Sequence, residues 1–365
     1  MRILFLVTGL GGGGAENVVV NLADAMYAQG HQVKIAYLTG EVVVRPQQPE
    51  IELIYLELEG IASSYKSFAK YHLLLKQFSP DVVHAHMVHA NIFARLSRIV
   101  KPTKRLICTA HSSNEGGKLR MLAYRLTHRW SDITTNVSMS AAENFQRLGA
   151  VPEGGICTVY NGIDLSKFQR KMLGTQQLRE QLGIDSQQKI ILAVGRLHEA
   201  KDYPNLIQSF HLFKSQLVDG SIPKLLIVGE GEQRQHIQHL IEKLDLLNDV
   251  QLLGRREDIG QLMSIADYFV LSSSFEGLPT VLIEAQACEV FVVATNCGGA
   301  SEVMGETGIR VPIKNAQALA NALFTAFNMS QQAIDENNVQ ARQRVENMFS
   351  LTHSVQKWLE IYASK

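Results

Sequence analysis

Short, unbroken apolar runs recur along the chain, each ending in glycine or a polar loop and followed by a segment whose apolar positions repeat with helical spacing. A first series predicts strands at 2–8, 32–38, 52–56, 81–85, 105–109, 132–136 and 155–159. A second series predicts strands at 190–194, 224–228, 250–253, 268–271 and 290–294. Runs that lack polar alternation belong to strands covered on both faces, as in parallel sheets flanked by helices. Strand and helix alternate through both series, so the expected class is α/β with two doubly wound, Rossmann-like units. The polar stretch 166–188, with a helical piece around 176–182, reads as the connection between them. The chain is expected to end in helices at 316–328 and from 331 to about 361.

Composition sharpens this in three ways. At 365 residues and 46% hydrophobic content, the chain exceeds what one core usually supports. Cys108, Cys157, Cys288 and Cys297 show no short paired spacing and read as small buried residues of a reducing compartment. The apolar run at 3–7 is too short for the core of a signal peptide, and no run approaches the length of a spanning helix.

The formal net charge of zero is unevenly spread, because residues 95–130 carry nine Lys/Arg against one Asp/Glu. Arg95, Arg98, Lys101, Lys104, Arg105, Lys118 and Arg120, followed by Arg125 and Arg129, alternate with Leu96, Ile99, Leu119, Met121, Leu122 and Trp130. Such a block suits an anionic membrane surface, with a merely solvated face as the plainer alternative. No nucleic-acid module is present, so a nucleic-acid partner is not expected.

In the first half, the strand at 2–8 runs into Gly9-Leu10-Gly11-Gly12-Gly13-Gly14 and then a helix over 15–28. The spacing satisfies the dinucleotide fingerprint, yet the next strand ends at Thr39-Gly40, without the acidic residue that holds a nicotinamide ribose. What remains is backbone access: Gly12 and Gly13 allow a bulky anion against the amides at a helix start. His84, His86 and His89 look superficially like metal ligands. Only the first two share a strand face, and no carboxylate or cysteine lies within the next dozen residues, so no metal is expected. His111 ends the strand at 105–109, at the edge where doubly wound sheets place ligands.

In the second half, the strand at 268–271 leads into Ser272-Ser273-Ser274-Phe275-Glu276-Gly277-Leu278-Pro279 and a helix that carries Glu284. Side chains lean toward a helix N-terminus, so Glu276 and Glu284 can face one cleft. Between them the amides of Leu278, Thr280 and Val281, aided by the helix dipole, form an anion site. Gly195-Arg196 and Lys201 follow the strand at 190–194, while Gly229 and Gly254 close two further strands. Arginine supplies a planar fork and lysine a point charge, both suited to a diphosphate.

Glu276, seven residues, Glu284; the Phe275-Glu276-Gly277-Leu278-Pro279 bridge; and Gly195-Arg196 with Lys201 together resemble the signatures of retaining glycosyltransferases of family 4, which have the GT-B fold. Asn161-Gly162-Ile163-Asp164 is similar to the family's segment after its last N-domain strand. The resemblance implies two Rossmann-like domains facing a central cleft, at 1–165 for the acceptor and 189–345 for the nucleotide sugar. A final helix at 346–365 crosses back to the first domain through Trp358, Leu359 and Tyr362. It also implies His111 near the transferred sugar, Arg196 and Lys201 on the diphosphate, Glu276 on the sugar and Glu284 on the ribose.

The implied activity is metal-independent and without cofactor. It transfers a hexose or N-acetylhexosamine from a nucleotide-diphosphate sugar, UDP by family habit, to a glycan or polyprenyl-diphosphate-linked acceptor of bacterial surface polysaccharide or glycoconjugate synthesis. The implied place is cytoplasmic, at the inner face of the membrane. A GT-B sugar-nucleotide epimerase and a non-catalytic two-domain sugar-nucleotide-binding protein stay open as alternatives.

Overall fold

The structure, a computed structural model, describes residues 1–60, 63–113, 115–170, 174–217 and 221–364. The chain divides into two compact units, Met1–Ile163 with Met348–Lys365, and Asp164–Asn347.

In the first unit the elements run β1 (Arg2–Val7), α1 (Gly14–Ala28), β2 (Gln32–Tyr37), β3 (Glu52–Tyr55), α2 (Ser64–Phe78), β4 (Val82–His86) and α3 (Val88–Val100), then β5 (Leu106–Ala110), α4 (Lys118–Thr127), β6 (Ile133–Asn136), α5 (Met139–Arg147) and β7 (Cys157–Thr158). The strands form one parallel sheet in the order β3-β2-β1-β4-β5-β6-β7. Ile3, Leu4, Phe5, Leu6 and Val7 are wholly buried, as an unbroken apolar run must be when helices cover both faces. Val18, Val19, Leu22, Ala23 and Met26 of α1 close one of those faces.

The second unit comprises α6 (Thr175–Gln181), β8 (Ile190–Val194), α7 (Tyr203–Lys214), β9 (Lys224–Val228), α8 (Arg234–Lys243), β10 (Val250–Gly254), α9 (Ile259–Ile265) and β11 (Tyr268–Leu271), then α10 (Thr280–Ala287), β12 (Phe291–Thr295), α11 (Ala300–Met304), β13 (Ile309–Val311), α12 (Ala316–Phe327) and α13 (Gln331–Phe349), whose last two residues return to the first unit. Its sheet is again parallel, in the order β10-β9-β8-β11-β12-β13. Phe210 and Phe213 of α7 and Phe291 of β12 anchor the core beneath it. Truncating one such ring costs about 3–5 kcal/mol. The stretch expected as a connection clusters with this unit: Arg170 donates to Ala266 O at 3.1 Å, and α6 packs on α9.

The single helix expected from 331 to about 361 is broken. Ser350 has extended backbone angles and its hydroxyl accepts from His353 N, so it ends α13 and caps α14 (Leu351–Ala363). Val355, Trp358 and Tyr362 of α14 bury against α1 and β1 in the first unit, while Leu359 is partly buried there. Ile163 pairs with the break: its amide donates to Phe349 O at 2.9 Å, and Leu351 N donates to Ile163 O at 2.8 Å. Beside it, a β-carbon on Gly162 would lie 2.6 Å from Ser350 O, which is why glycine stands there.

Candidate active site

In an open parallel sheet, loops diverge where the strand order reverses, and a crevice opens at the carboxyl ends of the two central strands. In the second unit those strands are β8 and β11. The loop after β8 brings Lys201 to the loop after β11, with Nζ 2.6 Å from Glu276 Oε1. Ser273 Oγ donates to the same carboxylate oxygen at 2.7 Å. Backbone contacts lock the two loops together: Ser274 N to Ala200 O at 2.8 Å, and Ser272 Oγ to Lys201 O at 2.8 Å. Thr295 Oγ1 and Gly299 N tie the end of β12 to Ser273 O and Gly277 O, at 2.6 and 2.7 Å.

Two glycines permit this closeness. A side chain on Gly298, at φ 49°, would collide with the Glu276 carbonyl, and one on Gly229, at φ 143°, with the Gly195 carbonyl. Gly229 therefore serves the packing of two strand-end loops against each other. Gly195 sits against the Lys201 side chain, and Gly254 takes the left-handed turn that ends β10.

Pro279 caps α10 and the helix proper starts at Thr280. No side chain caps this end, so the first-turn amides, Thr280 and Val281 among them, stay available to an anion, while the Leu278 side chain is buried. Glu284, the fifth residue of α10, is mostly buried. Burial pushes its carboxyl up to about 7, and the positive charge of Lys201 opposes the rise. Lys201 thus bonds one of the two glutamates and acts electrostatically on the other. Arg196 stands apart with a side chain 72% exposed, 3.4 Å from Glu232 Oε2, so the pairing that holds it is weak.

The first unit reverses its order between β1 and β4. The glycine loop follows β1; residues Gly11 to Gly14 are exposed, and α1 begins behind Gly13 with no side-chain cap. His86 ends β4 and His111 follows β5, with His86 Nδ1 2.9 Å from His111 Nε2. The His86 ring packs on His84 with centroids 3.9 Å apart and planes tilted by 39°. His84 is itself held by Tyr362 of α14 and by Thr109, both at 2.6 Å. Burial lowers all three histidines, His84 and His86 well below the usual range and His111 to about 4, so the cluster is neutral at physiological pH. Two nitrogens at hydrogen-bonding distance share a proton and leave no opening for a metal between them. Among the described residues no three His, Cys, Asp or Glu side chains are grouped as metal ligands.

Glu115 fixes the backbone beside His111 by accepting from His111 N at 2.8 Å and Ser112 N at 3.2 Å. Neither Glu115 nor the His86 contact with His111 is readable from the sequence, because both depend on which strand ends become neighbours. Ser273 was likewise visible only as one serine of three.

Two family descriptions match the chain: "Glycosyltransferase Family 4" over residues 12–167 and "Glycosyl transferases group 1" over residues 174–344. The Campylobacter jejuni N-acetylgalactosamine-N,N'-diacetylbacillosaminyl-diphospho-undecaprenol 4-alpha-N-acetylgalactosaminyltransferase is 28% identical, over 89% of each chain. The N-acetyl-alpha-D-glucosaminyl L-malate synthase of Bacillus anthracis is 25% identical over 96% of this chain and 93% of its own. Among solved structures, Anabaena HepE in complex with UDP superposes with a TM-score of 0.86 at 22% identity, covering both chains fully. The chain is a GT-B glycosyltransferase.

The basic block of this glycosyltransferase is less superficial than its composition suggests. Arg95 is wholly buried: its guanidinium donates to Thr134 Oγ1 at 2.7 Å and lies 5.0 Å from the Tyr124 ring centroid. It cannot touch a membrane, since α3 turns it inward beside Asn91 and Ala94. Arg98 is paired with Asp132 at 2.8 Å and Lys104 with Asp81 at 2.7 Å, while Arg105 bonds Ser364. Lys101, Lys118 and Arg120 stay exposed, although Arg120 also donates to Glu115 O at 2.8 Å. Beside them Leu119, Leu122 and Leu126, at helical spacing along α4, are 83%, 49% and 64% exposed. No helix of the described residues is long and apolar enough to cross a membrane.

Proposed function

We propose that this glycosyltransferase is a retaining, metal-independent enzyme of family 4 that moves a hexose or N-acetylhexosamine from UDP to a polyprenyl-diphosphate-linked glycan. The observation that carries the reading is the placement of Lys201 against Glu276, with Glu284 within reach of its charge and an uncapped helix start between the two carboxylates. Breaking the bond from the sugar's anomeric carbon to the diphosphate leaves negative charge on the departing oxygen. Lys201, Arg196 and the amides of Thr280 and Val281 stabilise that charge as it grows. The acceptor hydroxyl bonds to the same carbon and passes its proton to the leaving phosphate. Glu276, held by Lys201 and Ser273, orients the sugar through its hydroxyls instead of attacking it, which favours same-face attack and retention. Glu284 accepts from the ribose hydroxyls, and the first unit, with its glycine loop and His111, receives the acceptor.

A diphospho-undecaprenol acceptor in the name of the Campylobacter relative supports the lipid-linked substrate. The exposed leucines of α4, flanked by Lys118, Arg125 and Arg129, support work at an anionic membrane surface on the cytoplasmic side. A second reading, transfer to a small hydroxy acid, is favoured by the Bacillus relative named N-acetyl-alpha-D-glucosaminyl L-malate synthase. Incubation with UDP- and GDP-sugars, with and without chelator, against a polyprenyl-diphosphate glycan and malate separates these. UDP release that depends on the lipid-linked acceptor and survives chelation is expected. Release that requires a divalent ion removes metal independence.

A further inference from the structure

The histidine cluster holds a proton-accounting problem with one economical solution. His86 is 1% exposed and makes one hydrogen bond, through Nδ1, to His111 Nε2 at 2.9 Å. Its other nitrogen, Nε2, is buried and finds no partner among the described residues. Each neutral ring carries a proton on one nitrogen only. If His111 donated from Nε2, His86 would accept at Nδ1 and carry its proton on Nε2, as a buried N–H with nothing to receive it. If His86 donates from Nδ1, its Nε2 is a bare lone pair. An orphaned buried donor is rarer and costlier than an orphaned acceptor.

We propose that His86 is a positioning residue that donates from Nδ1 to His111 Nε2, so that His111 carries its own proton on Nδ1 and meets the substrate as a hydrogen-bond donor. This rests on the reading of His111 as a substrate contact and adds its polarity: His111 gives a hydrogen bond to a sugar or acceptor oxygen and removes no proton in the reaction. The support extends back into the first unit. His86 is held by its tilted packing on His84, whose two nitrogens are occupied by Thr109 and by Tyr362 of α14. Among the described residues, the charged groups bonded to the backbone beside His111 are Glu115, whose carboxylate is engaged by the His111 and Ser112 amides, and Arg120, which donates to the Glu115 carbonyl. Neither bonds the ring, so its tautomer is set by His86.

The test is nitrogen NMR on the whole enzyme with labelled histidine, the His111 signals being assigned by their loss in His111→Gln. The expected result is a His111 ring protonated on Nδ1 and bare on Nε2, unchanged through the range where a free histidine titrates. A proton on Nε2, or an equal mixture of the two forms, overturns the proposal. Asparagine at 86 can still donate near the Nδ1 position, whereas aspartate can only accept. His86→Asp should lower kcat roughly tenfold more than His86→Asn, with donor KM little changed in either. Equal kcat in the two variants, both folded, overturns it as well. Full transfer by His111→Ala removes instead the reading of His111 as a substrate contact, and with it the donor role, whatever tautomer the spectrum shows.

Discussion

Lys201 Nζ lies 2.6 Å from Glu276 Oε1, both side chains are mostly buried, and the same lysine's charge opposes the rise in the Glu284 carboxyl. Arg196 serves the same anion in the proposed mechanism but stands in solvent, 3.4 Å from an exposed glutamate. The two cations should therefore part company when removed. Arg196→Ala should lower kcat about a hundredfold and leave Tm unchanged, since an exposed pair contributes little to stability. Lys201→Met should lower kcat at least as far and also lower Tm, because it leaves Glu276 inside without its cation. Steady-state kinetics and a thermal melt on both variants decide this, and equal Tm losses would refute it.

In the proposed mechanism Glu284 makes donor binding and stability depend on pH in opposite directions. Its carboxyl is raised to about 7 from the usual 4.5. The unfolded chain releases this proton first, so Glu284 lowers stability progressively as pH rises from about 4.5 to 7, by up to ~3 kcal/mol, and by a constant amount above. Glu284→Gln should raise Tm at pH 8 by several degrees and change it little at pH 5. The ribose hydroxyls prefer the ionised form, so the donor KM of the native enzyme should rise as pH falls below about 7. That dependence should vanish in Glu284→Gln, whose KM is high throughout.

Much of the second unit was legible because its elements are set locally in sequence. The strands at 190–194, 224–228 and 268–271 have the bounds expected, since short apolar runs between polar loops leave little choice of element. β13 escaped because it has three residues with Arg310 in the middle, which is no apolar run. Ser350 escaped because helix-forming residues flank it, and its capping hydroxyl differs from any other serine only in what lies across from it. Arg95 was misplaced for a different reason: counting charge ignores which way a helix faces. Val88, Asn91 and Arg95 follow the buried face of α3 at helical spacing, so phase would have turned the arginine inward where composition did not.

That distinction yields a prediction about membranes. Arg95 is buried with hydroxyl, carbonyl and ring partners, so Arg95→Ala leaves a cavity and unpartnered oxygens and should destabilise the first unit by about 2–5 kcal/mol without touching a surface. Leu119 and Lys118 are exposed, so Lys118→Ser/Leu119→Ser should leave Tm unchanged and weaken sedimentation with anionic vesicles at low salt. Equal binding of the native enzyme to neutral and anionic vesicles would remove the membrane-surface proposal altogether.

Gly162 offers the sharpest test of why the chain's end belongs to its beginning. An added methyl there would stand 2.6 Å from both Ser350 O and Ser354 Cβ, and 2.7 Å from Leu351 Cα, with no flexible side-chain end to give way. The flanking hydrogen bonds from Ile163 N to Phe349 O and from Leu351 N to Ile163 O run through the same contact. Gly162→Ala should therefore loosen α14 from its seat and expose Trp358, which is 3% exposed. Loss of α14 also withdraws Tyr362 from His84, and with it the support beneath His86. A drop in Tm of several degrees with a red shift of tryptophan emission is expected, together with a lower kcat. Trp130 in the first unit contributes to the emission, so Trp130→Phe supplies the background in which the shift is read. An unshifted spectrum in that background would show that α14 keeps its place without the close approach at Gly162.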